Sequence, residues 1–267
     1  MATAFSATNS APTLWFLTTI IMVFMSANLA CGATSQPVKI ATEGAYPPYN
    51  DLNEAGEIIG FERAMGDELC RRAEFECVWE VHGWESIIAA LVDERFDVII
   101  AGMTITEERD KLIDFTQPYV PPSPSVYVAQ SGPGASAIGA RLNQPTEGAG
   151  VHVAAQRATI HSEYLAREGF DHSLYDLVPS AMDALLRGEA DVVFADSRFV
   201  RESMAQYGNK LNIVGPEVYI GAGVGVGIRE ADVDLKEELN RAITSMKEDG
   251  SLNELIREWF GPDARTF

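Results

Sequence analysis

Two short apolar runs of the same pattern, DVIIA at 97–101 and DVVFA at 191–195, constrain this chain more than any other feature. A continuous apolar run of this length is typical of a strand buried on both faces of a parallel sheet. Each run follows an amphipathic helical stretch, over 84–92 in the first half and 181–187 in the second. Strands that alternate with helices indicate an α/β fold. The repetition predicts two similar lobes, each a mainly parallel sheet flanked by helices.

The hydrophobic periodicity places further elements in both halves. We predict strands at 38–42, 78–81, 126–129 and 151–155, and helices over 61–72, 161–167 and in two pieces between 232 and 260. The segment 131–150 is rich in Gly, Ala and Pro, which predicts a surface loop. The run GAGVGVGI at 221–228 lacks the Lys-Ser/Thr ending of a phosphate-binding loop, so we interpret it as a strand.

The N-terminus has the order of a secretory signal peptide. An apolar run at 14–25 is too short to span a bilayer comfortably, and small residues follow it. We predict a signal peptide over 1–33, cleaved after Ala30 or Ala33, although no Lys or Arg precedes the apolar run. A membrane anchor or a buried helix is the alternative. Export predicts a periplasmic protein; a lipid anchor at Cys31 is less favoured, because Asn28 stands where lipoprotein signals carry an aliphatic residue.

The spacing of the cysteines and the net charge further limit the kinds of protein that this chain can be. Cys70 and Cys77 lie seven residues apart, which in an oxidising compartment fits either a disulfide or two buried thiols. The formal net charge is −19, and residues 1–36 contribute no charged side chain to it. Such an acidic body repels phosphate backbones and anionic lipid surfaces, so we expect neither a nucleic-acid nor a peripheral-membrane role.

Polar residues follow both apolar runs, where ligands of α/β sheets bind. After the first run come Gly102, Thr104 and Arg109, and Asp196 follows the second directly. A guanidinium matches a carboxylate with two parallel hydrogen bonds, and a carboxylate accepts from an ammonium. Taken alone, Arg109 could simply lie on the surface of a helix, and Asp196 could simply cap a helix. Together, at equivalent strand ends, they predict a site for a zwitterion.

Several longer segments carry a specific family resemblance. In chain order, IATEGAYPPYN, GFERAMGDELCRR, GWESIIAALVDERFDVIIAGMTITEERDKLIDFTQPY, DVVFADS and DGSLNELIREWFG resemble the polar amino-acid-binding proteins of ABC transporters, the solute-binding proteins of family 3. The resemblance covers nearly all of 38–261, and GMTITEER…DFTQPY is its most specific part. It implies a two-lobed periplasmic binding protein-like fold of type II, with two hinge strands joining a first lobe (37–126 and 219–267) to a second (127–218).

The resemblance also implies a role for each candidate residue. Arg109 would bind the α-carboxylate with help from nearby backbone N–H groups, Asp196 would bind the α-ammonium, and Cys70 and Cys77 would form a disulfide. Aromatic rings would sandwich the ligand side chain, and an acid would meet its end. The expected ligand-binding residues are Glu43, Tyr46, Trp84, Gly102, Met103, Thr104, Arg109, Thr159, Ile160 and Asp196.

Two departures from the family pattern affect the second lobe. Ala158 stands where a glycine usually precedes the threonine, which leaves the register of the Thr159 contact open. His161 stands where a glutamine is common, and it contacts either ligand or solvent.

Tyr46 and Trp84 with Glu43 beyond them suit a cationic side chain, through cation–π attraction and an ion pair. We therefore expect a lysine- or arginine-like ligand, ahead of histidine, glutamine and opines. The function implied is a monomeric, non-catalytic receptor, free of cofactor and metal, that delivers its amino acid to the permease and ATPase subunits of a transporter. The alternatives are a cyclohexadienyl dehydratase-like enzyme, with Glu43 as its acid, and an amino-acid sensor domain.

Overall fold

Two five-stranded sheets organise the chain in the computed structural model, which describes residues 1–4, 36–143 and 150–267. The predicted signal peptide, including Cys31, therefore lies outside the described residues except for its first four. Residues Gln36–Phe267 form one compact unit. We call the part built around each sheet the first and the second lobe.

The strands and helices are as follows. The strands are β1 (Val38–Thr42), β2 (Asp51–Leu52), β3 (Ile58–Ile59), β4 (Cys77–Val81), β5 (Val98–Ile99), β6 (Asp114–Phe115), β7 (Pro124–Gln130), β8 (Val153–Gln156), β9 (His172–Tyr175), β10 (Val192–Asp196), β11 (Leu211–Tyr219) and β12 (Gly227–Ile228). The α-helices are α1 (Phe61–Arg72), α2 (Ile87–Val92), α3 (Glu107–Asp110), α4 (Pro133–Leu142), α5 (Ile160–Arg167), α6 (Val178–Arg187), α7 (Ser197–Tyr207), α8 (Val233–Glu248) and α9 (Ser251–Phe260). Short 3₁₀ turns occupy Trp84–Ser86 and Gly208–Lys210.

Both sheets have a parallel part and an antiparallel part. The first has the order β4-β1-β5-β12-β6, in which β1 pairs in parallel with β4 and β5, and β12 runs antiparallel to its neighbours. The second has the order β11-β7-β10-β8-β9, in which β8 pairs in parallel with β10 and β9, and β7 runs antiparallel to β10 and β11. The two apolar runs of the sequence form β5 and β10, inside these sheets.

Helices cover both faces of each sheet, which explains why its inner strands are apolar throughout. In the first lobe α1, α8 and α9 pack on one face and α2 on the other. In the second lobe α6 and α7 pack on one face and α4 and α5 on the other. A disulfide joins Cys70 of α1 to Cys77 of β4, as predicted. The helices of the described ranges are too short or too polar to span a lipid bilayer.

The chain passes from the first sheet to the second between β6 and β7, and returns between β11 and β12. The two connections pair with each other, since the backbone N–H of Val224 donates to the Val120 carbonyl at 3.0 Å. The exact lobe boundaries, 126–127 and 218–219, stay a prediction.

Two segments differ from the prediction. The supposed loop at 131–150 contains α4, which begins with Pro133 and packs Gly139 against Gly215 of β11, where an added Cβ would lie 3.1 Å from the Gly215 nitrogen. Small residues here make a close helix–strand contact; residues 144–149 lie outside the described part. In the predicted strand 221–228 only β12 is regular, because Gly221 and Gly223 adopt φ values of 77° and 106°.

Candidate functional site

A cavity lies between the lobes and is lined by residues from both. Parallel strands present their carboxyl ends to one edge of a sheet, and the cavity lies beyond the ends of β1, β5, β8 and β10. It brings together nine of the ten residues predicted for the site: Glu43, Tyr46, Trp84, Gly102, Thr104, Arg109, Thr159, Ile160 and Asp196.

Met103 is the exception among the predicted residues. Its side chain is fully buried in the hydrophobic cluster that contains Ile99 and Ile113, on the α2 face of the first sheet. Its neighbours Gly102 and Thr104 line the cavity. Met103 therefore packs in the core of the first lobe and takes no part in the cavity wall.

Arg109 is a buried cation that faces the cavity from α3. Its Nη1 donates to the Thr104 carbonyl at 2.9 Å, and its guanidinium carbon lies 5.2 Å from the centre of the Trp84 ring. It makes no ion pair with a carboxylate of the described residues. Burial lowers the pKa of Arg109 to about 10, against a smaller opposing effect of Glu163. A guanidinium held away from water without a counter-ion is prepared for an anion.

Asp196 is both a helix cap and a cavity residue. It ends β10 and caps α7, where its Oδ1 accepts from the Arg198 backbone N–H at 2.8 Å. Its Oδ2 accepts from the hydroxyl of Ser123, which also lines the cavity. The helix cap considered from the sequence is therefore present, and this contact fixes the carboxylate at the cavity wall. Its role as the partner of an ammonium stays a prediction.

Glu43 meets a glutamine from the other lobe. The Gln156 side-chain amide donates to Glu43 Oε1 at 2.6 Å, and both side chains are buried. Burial raises the pKa of Glu43 to about 7; the hydrogen bond from Gln156 opposes this shift, and the charge of Glu62 adds to it. Gln156 was not among the predicted residues, although its position at the end of the predicted second-lobe strand was a usable signal.

The aromatic residues contribute to closure as well as to the cavity wall. Tyr46 stacks on Phe199 of the second lobe, with ring centres 4.8 Å apart. The Trp84 indole N–H donates to the Ala158 carbonyl across the cleft at 3.0 Å. These contacts join the lobes in a closed arrangement, and one face of Tyr46 is covered by Phe199. The proposed sandwich of a ligand side chain by Tyr46 and Trp84 stays a prediction.

The start of α5 decides which backbone groups are free for a ligand. Thr159 caps this helix, and its own N–H donates to the Ser162 hydroxyl at 3.1 Å. The first helical residue, Ile160, is therefore the better candidate donor, because the first N–H groups of a helix lack intrahelical partners. Ala158, at the position expected for a glycine, has a φ of 55°, in the left-handed region that glycine adopts most readily.

Two further buried groups shape the site. His161 lines the cavity with its Nε2 3.0 Å from the Ser125 hydroxyl. Burial, with the charge of Arg109 adding to it, lowers its pKa to about 3, so His161 is neutral. Glu62, fully buried beneath the cavity, accepts from the Gly102 N–H at 2.6 Å and from the Asn50 amide at 2.7 Å. Sequence reasoning missed Glu62 as a support for the Gly102 loop.

Among the residues that the structure describes, no cluster of His, Cys, Asp and Glu has the arrangement of a metal site. Charged and hydrogen-bonding side chains line the cavity.

The chain is similar in sequence to known bacterial proteins. The model of the bacterial extracellular solute-binding proteins, family 3, matches residues 38–262. A putative ABC transporter arginine-binding protein of Escherichia coli is 29% identical over 248 residues, 90% of this chain and 98% of the relative. The L-arginine-binding protein of Pseudomonas aeruginosa is 30% identical over 242 residues, 86% of this chain and 90% of the relative.

A solved structure is more similar in sequence. It is a periplasmic binding protein of the His/Glu/Gln/Arg/opine family from Silicibacter pomeroyi in complex with lysine, with 47% identity and a TM-score of 0.78. The match covers 86% of this chain and all of that protein.

Proposed function

Because this chain belongs to family 3 of the bacterial extracellular solute-binding proteins, we propose that its cavity captures a free cationic L-amino acid, lysine or arginine. The closed complex then delivers the amino acid to the permease and ATPase subunits of an ABC transporter. The lysine complex of the Silicibacter pomeroyi protein and the arginine-binding relatives support this ligand class.

The main support for this proposal is the set of charged residues that line the cavity. Its lining contains one cation, Arg109, and two acids, Glu43 and Asp196, while His161 is neutral. With both acids ionised, the lining has a net charge of −1. A lysine or arginine molecule has one carboxylate and two cationic groups, so it supplies an opposite charge for each group. A neutral amino acid leaves Glu43 buried without a cation, which is costly.

The charged groups assign an orientation to the ligand. The α-carboxylate binds Arg109 and the Ile160 N–H at the start of α5, where the helix dipole also favours an anion. The α-ammonium binds Asp196, and the side chain extends to Glu43. Trp84, which lines the same cavity, covers the alkyl part of the ligand.

Ligand binding and lobe closure are coupled in this proposal. Arg109 and Glu43 belong to the first lobe, whereas Asp196 and the start of α5 belong to the second. A ligand that contacts both lobes favours the closed arrangement over an open one.

The family supports a proposed location and proposed partners. The periplasmic relatives support a periplasmic location, reached through the signal peptide proposed at 1–33. We propose a monomer whose macromolecular partners are the transporter subunits, with no role in nucleic-acid binding.

The direct test is isothermal titration calorimetry of the purified protein against lysine, arginine, histidine, glutamine and glutamate. We expect lysine and arginine to bind at least tenfold more tightly than the neutral amino acids and glutamate not to bind. Equal affinity for glutamine and lysine would contradict the ligand class. Failure of all amino acids to bind would contradict the function.

An enzymatic alternative has one observation in its favour. A carboxyl group with a pKa near 7, such as that of Glu43, has the property that a general acid needs. We propose that the chain is not an enzyme, because amino-acid capture accounts for Arg109, Asp196 and Glu43 together. Incubation with arogenate or prephenate, followed by detection of an aromatic product, separates the two functions; turnover would establish the enzyme.

A further inference from the structure

Arg198 is a buried cation of the second lobe that contacts the first lobe away from the ligand cavity. It is the second residue of α7 and is 9% exposed. Its Nη1 donates to the Tyr49 hydroxyl at 3.2 Å, and its guanidinium carbon lies 5.2 Å from the centre of the Phe260 ring. Its Nη2 donates to the Pro121 carbonyl at 3.3 Å, in the connection between β6 and β7. We call these three interactions the Arg198 contact.

The surroundings of Arg198 favour its charge, unlike those of Arg109. Burial lowers the pKa of Arg198, but the neighbouring Tyr49 and Asp196 outweigh this effect, and the pKa lies above its ordinary value. The pKa of Arg109 is instead lowered, to about 10. Arg109 is therefore prepared for an anion from a ligand, whereas groups of the protein itself satisfy Arg198. The guanidinium of Arg198 serves contact between the lobes.

The Arg198 contact is connected to the candidate site through the start of α7. The backbone N–H of Arg198 donates to Asp196 Oδ1 at 2.8 Å, so the carboxylate at the cavity wall and the guanidinium belong to one rigid turn. The next residue, Phe199, stacks on Tyr46 of the first lobe. Two successive side chains of α7 thus touch aromatic residues of the first lobe.

The Arg198 contact exists only when the lobes are close together. Tyr49 belongs to the buried core of the first lobe, and Phe260 packs against the same core. Both therefore move with the first lobe, while Arg198 moves with the second. Separating the lobes breaks the bond to Tyr49 and the contact with Phe260, whatever occupies the cavity.

We propose that Arg198 is a positioning residue that stabilises the closed arrangement through bonds in which the ligand takes no part, and so slows the release of every bound amino acid by the same factor. The proposal rests on the function proposed above. An interaction present only in the closed arrangement raises the ratio of closed to open protein equally for all ligands. A bound ligand leaves after the lobes open, so the effect appears mainly in the dissociation rate constant.

Two other roles of Arg198 predict different results. If its main effect were to weaken the attraction of Asp196 for the ligand ammonium, removing the cation would raise the affinity, because less opposing charge would lie near that carboxylate. If Arg198 only held the second lobe together, its removal would lower the stability of the ligand-free protein. The sign of the change in affinity and the stability without ligand therefore separate the three roles.

The experiment measures the association and dissociation rate constants of lysine and of arginine by stopped-flow tryptophan fluorescence, because Trp84 lines the cavity. In Arg198→Met we expect both ligands to dissociate about tenfold faster, the size of one hydrogen bond to a charged group. Association should stay within about twofold of wild type. The midpoint of urea unfolding without ligand should stay at the wild-type value, because the open arrangement lacks the contact.

The matched control is Arg201→Met, one turn further along α7. Arg201 is exposed, and within the described ranges its guanidinium forms no ion pair or hydrogen bond. We expect wild-type rate constants for this variant. An equal acceleration in Arg201→Met and Arg198→Met would assign the effect to the charge of α7 and overturn the inference.

A double-mutant cycle tests the bond between the lobes directly. Tyr49 also lines the cavity, so Tyr49→Phe is made both in wild type and in Arg198→Met. We expect the loss of the Tyr49 hydroxyl to speed dissociation about threefold in wild type and to have no effect once Arg198 is gone, because the two groups share one bond. Equal effects in both backgrounds would show that the two residues act independently, which contradicts the proposal.

Arg198→Lys carries the test if Arg198→Met fails to fold. Lysine keeps the charge but lacks the planar fork that reaches two acceptors, so we expect both ligands to dissociate about threefold faster. An unchanged dissociation rate in the folded variant, tighter binding, or an effect on lysine but not on arginine overturns the inference. If wild type binds neither lysine nor arginine, the proposed function itself fails.

Discussion

Replacing Arg109 by alanine is expected to abolish ligand capture while leaving the ligand-free protein about as stable as wild type. Burial lowers the pKa of Arg109 to about 10, which corresponds to a cost of roughly 3 kcal/mol for keeping the cation in the empty site. The hydrogen bond to the Thr104 carbonyl and the contact with Trp84 offset about 1 kcal/mol each. The free energy of unfolding of the ligand-free variant should therefore lie within about 1–2 kcal/mol of wild type, in either direction.

The effect on binding is much larger. Without the guanidinium, the α-carboxylate of the ligand is buried with no counter-ion. Breaking a buried pair in this way costs about 3–5 kcal/mol, which is roughly two to nearly four orders of magnitude in the dissociation constant. A residue that merely stabilises the fold would lower stability and affinity together, so the separation of the two effects is diagnostic.

The assay combines calorimetry with lysine and thermal unfolding with and without lysine. The control is Arg63→Ala, because Arg63 also lies over a tryptophan, 5.5 Å from the Trp79 ring centre, but outside the cavity. We expect the control to bind lysine like wild type. If Arg109→Ala binds lysine within threefold of wild type, or loses several kcal/mol of stability in the absence of ligand, the role assigned to Arg109 is wrong.

Three further perturbations test other parts of the molecule. Asp196→Asn keeps a residue that caps helices equally well and removes the charge, so calorimetry should show a loss of roughly tenfold to a hundredfold for lysine with unchanged helical circular dichroism; a loss of helix would point to capping as the main role. Burial in the closed arrangement raises the pKa of Glu43 from 4.5 to about 7, and a neutral ligand brings no cation to lower it, so we expect closure to take up a proton and glutamine affinity to fall as the pH rises through this range. A cationic side chain keeps Glu43 ionised, so the lysine-to-glutamine ratio should rise from about pH 5 to about 7 and then level off; a flat ratio, or one that changes equally in Glu43→Gln, would reject this linkage. Replacing Cys70 and Cys77 by serine opens a short loop, which should cost about 2–3 kcal/mol of stability in chemical denaturation and leave the lysine affinity unchanged, and an altered affinity would show that the α1–β4 contact reaches the cavity.

Much of the fold was predictable because local patterns determine it. The periodicity of 61–72 predicted α1 with the observed bounds, and the β-branched run at 38–42 predicted β1. The two apolar runs, DVIIA and DVVFA, identified the central strands β5 and β10, because a strand buried on both faces has an uninterrupted apolar sequence. The helix α4 was missed because its Gly and Ala residues resemble a loop in composition. Their small size instead permits the close contact of Gly139 with Gly215.

Site residues that directly follow one strand could be predicted from the sequence. Site residues that depend on contacts between the lobes were missed. Arg109 and Asp196 could be named because each follows a buried strand. The bond between Glu43 and Gln156 joins residues 113 positions apart in different lobes, and no local pattern records that pairing. Met103 was misplaced for the opposite reason: sequence proximity to Gly102 and Thr104 could not show that its side chain points into the core.

In the proposed function, the distribution of charge between the lobes makes closure more favourable around a cationic ligand than around a neutral one. When the lobes are apart, water can solvate Glu43, Arg109 and Asp196. Closing removes that water, and the raised pKa of Glu43 and the lowered pKa of Arg109 both record the resulting cost. A ligand with a carboxylate and two cationic groups supplies the missing partner of each group, so closing becomes favourable. The Coulomb energy of a buried ion pair is much larger than that of a hydrated one. Selectivity for a cationic amino acid therefore arises mainly in the closed arrangement, and less when the ligand first binds to the open lobes.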